Sequence, residues 1–524
     1  MSTAAWWQSG ILYEVYPRSF QDSNGDGIGD LRGILRRLDY LLSLGIEGVW
    51  VAPFYPSPMA DFGYDIADYC NVDPMFGTLA DFDHLLAAIH ERGLKLVLDF
   101  VPNHTSDQHP WFLESRSSLT NPKRDWYLWH DPGPDGGPPN NWMSNFGGPG
   151  WTRDGSQYYY HSFLKQQPDL NWRNPELRQA MFDVMRFWLD RGVDGFRVDV
   201  MWMMIKDDQY RNNPINPESF SDSPASVRLL PVYNTNRPEV HAIVADMRRI
   251  VDSYGDRLLI GETYLPFDQL ATYYGHDLSG AQLPFNFHLM QTPWNAKSLA
   301  GVIQDYEASL PPGAWPNWVI GNHDQPRIAS RIGVAQARTA AMLLLTLRGT
   351  PTLYYGEEIG MTDVAIPPVE VQDPAEKNEP GKGMGRDPER TPMQWDSSPR
   401  AGFTEGAPWL RLAPDHAEVN VATLSNQSDS ILSLYRTLIG LRNSNAALST
   451  GTVENVAGDG NLLRYERSDG KQRFAVLLNL SEVEAEVTVQ SGELVCSTYT
   501  DRSGPTSGSN IALRPFEGIL IEVA

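Results

Sequence analysis

Short apolar runs recur along the chain, each followed by a loop and then by a stretch of helical periodicity. Eight of them read as strands: 11–17, 48–54, 95–101, 195–201, 257–263, 283–289, 317–324 and 349–356. The sixth carries the weakest pattern. The clearest helical stretches are 31–44, 79–92, 176–191, 238–254 and 335–347, with Pro238 expected in the first turn of its helix. Eight strands alternating with helices predict an α/β fold with a parallel sheet, closed as a (β/α)8 barrel. Several runs are apolar nearly throughout, as strands buried on both faces are.

Two connections are too long for simple turns. Residues 105–172 are rich in Trp, Tyr, Asn, Gly and Pro with little helical period, and read as a small inserted domain. Residues 358–427 read as a lid-like excursion, and a helix at 428–443 then closes the barrel. The barrel domain is expected over 1–104 and 173–449. From about 450 the pattern changes to short alternating strands (462–466, 474–480, 485–489 and 518–523), which predicts an antiparallel β-sandwich domain over 450–524.

The fourth run, GFRVDV at 195–200, alternates apolar Phe196, Val198 and Val200 with Arg197 and Asp199. A buried Arg beside a buried Asp is costly unless the pair has structural or chemical work. The other strand ends add to it, because a barrel's active site lies at the C-terminal ends of its strands. The third run ends in Asp99, Asn103 and His104, the fifth in Glu262, and the seventh in His323 and Asp324. Three carboxylates (Asp199, Glu262, Asp324) and two histidines thus converge on one mouth. Carboxylates in pairs without metal-ligand spacing suit acid/base and nucleophilic chemistry on an acetal.

Composition narrows the partners. Sixteen Trp and 22 Tyr supply stacking surfaces for flat-faced ligands such as sugars. A formal net charge of −23 argues against nucleic acid or an anionic membrane as partner. The two cysteines, Cys70 and Cys496, form no disulfide framework, and residues 1–10 show no basic region followed by an apolar run. The expectation is a cytoplasmic enzyme, a monomer or weak homo-oligomer, without an organic cofactor.

Several ordered motifs give this chain a family likeness: DFVPNH at 99–104, QPDLN at 167–171, GFRVDV at 195–200, GET at 261–263, GNHD at 321–324 and RTPMQW at 390–395. With these the sequence closely resembles the α-amylase family of glycoside hydrolases, in its bacterial oligo-1,6-glucosidase and α-glucosidase branch. The resemblance implies a retaining, exo-acting α-glucosidase acting on short oligosaccharides. Asp199 would be the nucleophile, Glu262 the acid/base, and Asp324 would hold the 2- and 3-hydroxyls of the distorted glucose. Arg197 would orient Asp199, while His104 and His323 contact the same sugar. Asp61 and Tyr64 would close its non-reducing end, and Phe146 and Phe163 line the pocket. Arg390 fits the family's arginine from the lid, with Arg386 as a competing assignment. Glu262 is expected to have a raised pKa. Val200, which follows the nucleophile, favours α-1,6 linkages. The segment 201–237 is expected to narrow the acceptor side and favour short substrates.

One more loop, DSNGDGIGD at 22–30, offers oxygen ligands around tight glycine turns, suited to Ca²⁺ or Mg²⁺ in a structural role. By the resemblance its ligands would be Asp22, Asn24, Asp26, the Ile28 carbonyl and Asp30. A transglucosylase or sucrose isomerase on the same scaffold is the alternative activity, and the trehalose-forming relatives are another. The Arg-Leu-Asp-Arg-Asp signature of the isomerases is absent. A non-catalytic transporter heavy chain is the remote alternative.

Overall fold

The computed structural model describes residues 4–524 apart from 221 and 509, so residues 1–3 of the N-terminal stretch lie outside it. Eight parallel strands form one sheet: β1 (Leu12–Val15), β2 (Gly48–Val51), β3 (Lys95–Phe100), β4 (Gly195–Val198), β5 (Leu258–Gly261), β6 (Leu283–Pro284), β7 (Asn317–Val319) and β8 (Thr350–Tyr354). The sheet runs β7-β8-β1-β2-β3-β4-β5-β6. The first strand therefore pairs with the last, Leu12 opposite Thr352, and the sheet curls into the (β/α)8 barrel that the eight runs predict.

The seam lies between β6 and β7. The apolar run 283–289 yields a two-residue strand, because Pro284 has no N–H for a ladder and the chain turns inward behind it. Phe285 and Phe287 fill the barrel interior instead. One side chain bridges the gap: the Asn317 amide donates to the Pro284 carbonyl and accepts from the Asn286 N–H at 2.9 Å.

Period-two alternation splits each strand between two cores. Leu12, Trp50, Val97, Leu258, Ile260, Leu283 and Val319 fill the barrel, while Val49, Val51, Leu96, Leu98, Phe196 and Val198 pack outward against the helices. The expected helix 31–44 is two helices, Leu31–Arg36 and Leu38–Leu44, broken at Arg37. Arg37 has left helical geometry (φ −105°, ψ 4°), its guanidinium stacks on Trp395 at 4.1 Å and its Nε–H reaches Gln21 Oε1 at 2.6 Å. Pro238 lies outside its helix, which starts at Val240 with Glu239 as N-cap.

Between β3 and β4 the chain forms helix Pro110–Ser117, missed by the periodicity, and a three-stranded antiparallel sheet of Trp129–His130, Gln157–Tyr160 and Trp151–Asp154. Leu128, Trp142, Trp151, Tyr158 and Tyr160 make its own core. After β8 the excursion carries only short helices, among them Pro374–Asn378, before helix Ile431–Ser444 returns to the barrel. The C-terminal region has a six-stranded and a two-stranded antiparallel sheet enclosing Leu477, Val487, Leu494, Leu513, Ile519 and Ile521. Four of its strands went unseen in the sequence: Thr452–Asp459, Ser491–Ser497, Gly504–Ser507 and Asn510–Leu513. Buried Arg467 ties it to the barrel by donating to the carbonyls of Thr346 and Gly451, at 2.5 and 3.0 Å. Cys70 and Cys496 are both free thiols, and among the described residues no helix is long and apolar enough to cross a membrane.

Candidate active site

The same alternation that fills the barrel with apolar side chains ends in charge. On the interior face Leu12 is followed by Glu14, Val97 by Asp99, Gly195 by Arg197 and Asp199, and Ile260 by Glu262. Arg197 is fully buried at the centre of this polar layer. Its Nη1 donates to Asp99 Oδ1 (2.9 Å) and Asp199 Oδ1 (2.7 Å). Its Nη2 lies 2.7 Å from Glu262 Oε2, outside hydrogen-bond geometry. That Glu262 oxygen instead accepts the Val200 N–H at 2.8 Å. Burial pushes both carboxyls up from their ordinary range, Asp199 and Glu262 alike, with Arg197 opposing.

Asp324 behaves differently. Burial works against its charge, yet His323, Arg390 and Arg386 together hold its pKa well below the usual carboxylate range. Its Oδ1 accepts from Arg390 Nη2 at 2.7 Å and from Arg386 Nη1 at 3.3 Å. His323, pushed down to about 3 by burial, sits 3.4 Å from Asp324 Oδ2 and 2.7 Å from the Tyr64 hydroxyl. It is sandwiched between the rings of Tyr16 (5.7 Å) and Tyr64 (5.4 Å), and its Nδ1 contacts Glu14.

Above this layer opens a cavity of about 390 Å³. Asp199, Glu262 and Asp324 all line it, with Asp61, Tyr64, His104, Phe146, Phe163 and Val200 around them. Two expected contact residues, His323 and Arg390, are not on its wall. They are 0–1% exposed and lie beneath the carboxylates they hold, as does Arg197, which hydrogen-bonds Asp199 in the orienting role expected of it. The arginine that reaches the cavity is Arg386, a correction to the choice of Arg390 as the sugar-binding residue. Arg386 spans Asp61 (2.6 Å), Asp324 (3.3 Å) and Asp373 (2.7 Å), with its guanidinium over Phe146 at 4.6 Å.

The loop that carries Asp61 and Tyr64 is shaped by left-handed Met59 (φ 62°) and Phe62 (φ 50°). Asp65 ties it down, accepting from the amides of Ala60 and Asp61, each at 2.9 Å. QPDLN at 167–171 is a buried tie between the inserted region and the mouth. Gln167 donates to Asp61 Oδ2 at 3.0 Å and touches His104 Nε2 at 3.2 Å. Asp169 takes the Ser162 N–H (2.7 Å) and the Asn103 amide (3.1 Å), and pairs with buried Lys206.

The far side of the cavity is formed by Val200, Trp202, Met203, Tyr264, Pro326 and Met384. The sequence leads one to expect Val200 and the segment 201–237 there, but not Tyr264, Pro326 and Met384. Trp202 packs on Tyr264 (5.6 Å) and Tyr264 stacks on Phe287 (4.4 Å). Tyr264 directly follows GET and Trp202 follows GFRVDV by two positions, so proximity to the motifs was the available signal. Glu14 had a plainer one, a lone acid in an otherwise apolar strand. Val200 itself sits at φ 36°, ψ 47°, the left-handed region, where a β-branched residue costs about 1–3 kcal/mol. This sharp reversal after Asp199 aims the Val200 N–H at Glu262.

The loop 22–30 lies away from the cavity. Asp22 accepts the amides of Asn24, Gly25 and Gly27 at 2.8–2.9 Å. Asp26 accepts from Ile28 (2.8 Å), and Asp30 accepts from Ser23 (2.9 Å) while capping the helix at Gly33 (2.7 Å). The oxygen donors are of the kind a hard cation takes, but each side chain is engaged by the loop's own N–H groups. Among the described residues no three acidic, His or Cys groups converge as a metal would require.

Comparison with known proteins places this geometry. The profile described as "Alpha amylase, catalytic domain" matches residues 14–451. The chain is 39% identical to the oligo-1,6-glucosidase of Parageobacillus thermoglucosidasius, covering 99% of each chain. It is 42% identical to a probable alpha-glucosidase of Rhizobium meliloti, over 92% of this chain and 90% of that one. Among solved structures, trehalulose synthase MutB of Pseudomonas mesoacidophila superposes with a TM-score of 0.91 at 35% identity, covering both chains fully.

Proposed function

This chain belongs to the α-amylase family of glycoside hydrolases, and on that premise we propose that it is a retaining exo-α-glucosidase. The observation that carries the mechanism is Arg197. Its two terminal nitrogens lie against one oxygen of Asp199 and one of Glu262. A single guanidinium against both holds the two carboxylates as one pair at the floor of the cavity, as a two-carboxylate glycosidase needs, and the retaining course is what the family match supports. Burial raises both carboxyls, so the roles follow the motifs: Asp199, oriented by the hydrogen bond from Nη1, is the nucleophile and Glu262 the acid/base. Asp199 attacks the anomeric carbon while Glu262 protonates the departing oxygen. Glu262 then takes a proton from water, which releases glucose and restores Asp199. Asp324, kept ionised, and Arg386 grip the sugar hydroxyls between them. Asp61 and Tyr64 close the blind end, so one terminal glucose enters.

For linkage, Val200 beside the acceptor side supports α-1,6 bonds. Measuring kcat/KM on isomaltose and maltose, with glucose and transfer products both quantified, decides it. Isomaltose ahead upholds the reading, and maltose ahead removes Val200 as the selector. A second reading, transfer of the glucosyl group to another alcohol, draws support from the apolar acceptor wall of Trp202, Met203, Tyr264 and Met384, which offers attacking water few partners.

We propose the 22–30 loop as a structural, not catalytic, Ca²⁺ site on its oxygen donors alone, with the ion drawing these side chains together and away from the loop amides they now accept. A melting temperature raised by Ca²⁺ and lowered by a chelator supports it; no bound ion after dialysis with unmoved melting removes it. Two free thiols suit a reducing, cytoplasmic compartment. A monomer or weak oligomer is testable by light scattering.

A further inference from the structure

The roof of the cavity is a strap, residues 379–385, that belongs to neither wall it touches. Polar tethers at its start and along it reach two walls: one from the residue just before it to the inserted region, and two from the strap itself to the segment that follows β4. Asn378 Nδ2 donates to the Phe146 carbonyl of the inserted region at 3.1 Å. Both Glu379 carboxylate oxygens face the Ala225 N–H, at 3.2 and 3.3 Å, on the segment that follows β4. Lys382 Nζ donates to the Asp222 carbonyl at 2.5 Å. Glu379 also presses on the opposite wall. A Cβ added to Gly147, which sits at φ 90°, would stand 2.6 Å from Glu379 Cγ, so only glycine permits the approach. The neighbours of these tethers form the rim of the cavity: Phe146, Ser226, Gly383 and Met384. The strap itself is loosely filled, with Gly381 and Gly383 both left-handed and nothing within 4 Å of where their side chains would be.

We propose that Glu379 is a specificity-determining latch that closes the roof between the two walls and so limits how long a chain can extend beyond the cleaved bond. This deepens the α-glucosidase reading and rests on it. Glu379 lies on the acceptor-side roof, away from the carboxylates that do chemistry. With the latch closed, the sugar beyond the leaving one meets the rim at Ser226 and Met384. Opening it widens the acceptor side, while Asp61, Tyr64 and the three carboxylates that would hold the glucose have no hydrogen bond to Glu379.

The test compares wild type, Glu379→Ala and Glu379→Gln on isomaltose, on isomaltotetraose and on an aryl α-glucoside. Removing the carboxylate is expected to raise the ratio of kcat/KM on tetraose to that on isomaltose by roughly three- to tenfold. Aryl glucoside release should stay within about twofold. Glu379→Gln keeps an oxygen for the Ala225 N–H and should hold the wild-type ratio. Lys382→Ala, which cuts an exposed tether, should move the ratio in the direction of Glu379→Ala and serves if that variant folds poorly. An unchanged ratio in both alanine variants, with aryl release intact, overturns the latch alone. Absence of aryl release from wild type overturns the α-glucosidase reading and the latch with it.

Discussion

The division of labour at single residues is set by what each carboxylate is allowed to touch. Burial raises Glu262, whereas His323, Arg390 and Arg386 hold Asp324 low. Glu262→Gln is expected to lower kcat/KM on isomaltose by about 10²–10⁴-fold. With an activated aryl glucoside the loss should shift to the second step, and added azide should restore turnover and give an α-glucosyl azide. A β-product would contradict retention. Glu357 offers a pH test of a different kind. It is buried without an ion-pair partner among the described residues, and burial pushes its pKa up to about 8. The unfolded chain loses that proton near pH 4.5, so between there and pH 8 the folded state binds more proton and stability falls as pH rises. Glu357→Gln should therefore gain melting temperature over wild type at pH 8 and show little gain at pH 5. At this scale the sequence was readable where a side chain ends a strand: Asp199, Glu262 and Asp324 all line the cavity. Val200's left-handed backbone and the choice between Arg386 and Arg390 were not, since both depend on where the chain turns after the motif.

Among elements, two are held by side chains rather than by backbone ladders. The β6–β7 seam rests on the Asn317 amide. Asn317→Ala leaves the Pro284 carbonyl and the Asn286 N–H unpaired, at a cost of about 1–3 kcal/mol. Thermal unfolding checks this, and Asn317→Asp should cost as much because it cannot donate to Pro284. The inserted region depends on Asp169 with Lys206. Asp169→Ala strands a buried ammonium, an effect of about 3–5 kcal/mol, and Asp169→Asn with Lys206→Met together should recover much of it. No recovery in the double variant would mean that the Ser162 and Asn103 contacts dominate. Strands with long apolar runs were legible, because two buried faces leave a strong imprint. The sixth was not, because Pro284 cut the ladder while Phe285 and Phe287 kept the apolar signature of a strand. The edge strands of the C-terminal sheets, such as Gly504–Ser507, are half-exposed and leave little imprint.

For the whole molecule, the net charge of −23 has a measurable effect. Self-repulsion opposes the compact state, so melting temperature should rise between low salt and about 0.3 M NaCl as the Debye length shrinks below 10 Å. A fall would show that favourable ion pairs, such as those of Arg386, outweigh the repulsion.

The pairing of β1 with β8 has a consequence for synthesis. Leu12 finds its partner Thr352 some 340 positions later in the chain. At roughly 5–20 residues per second, a ribosome exposes the first strand for tens of seconds before the last one emerges. During that wait one edge of an apolar, growing half-barrel stands open, which makes nascent chains truncated before β8 the species to watch for aggregation and for chaperone capture.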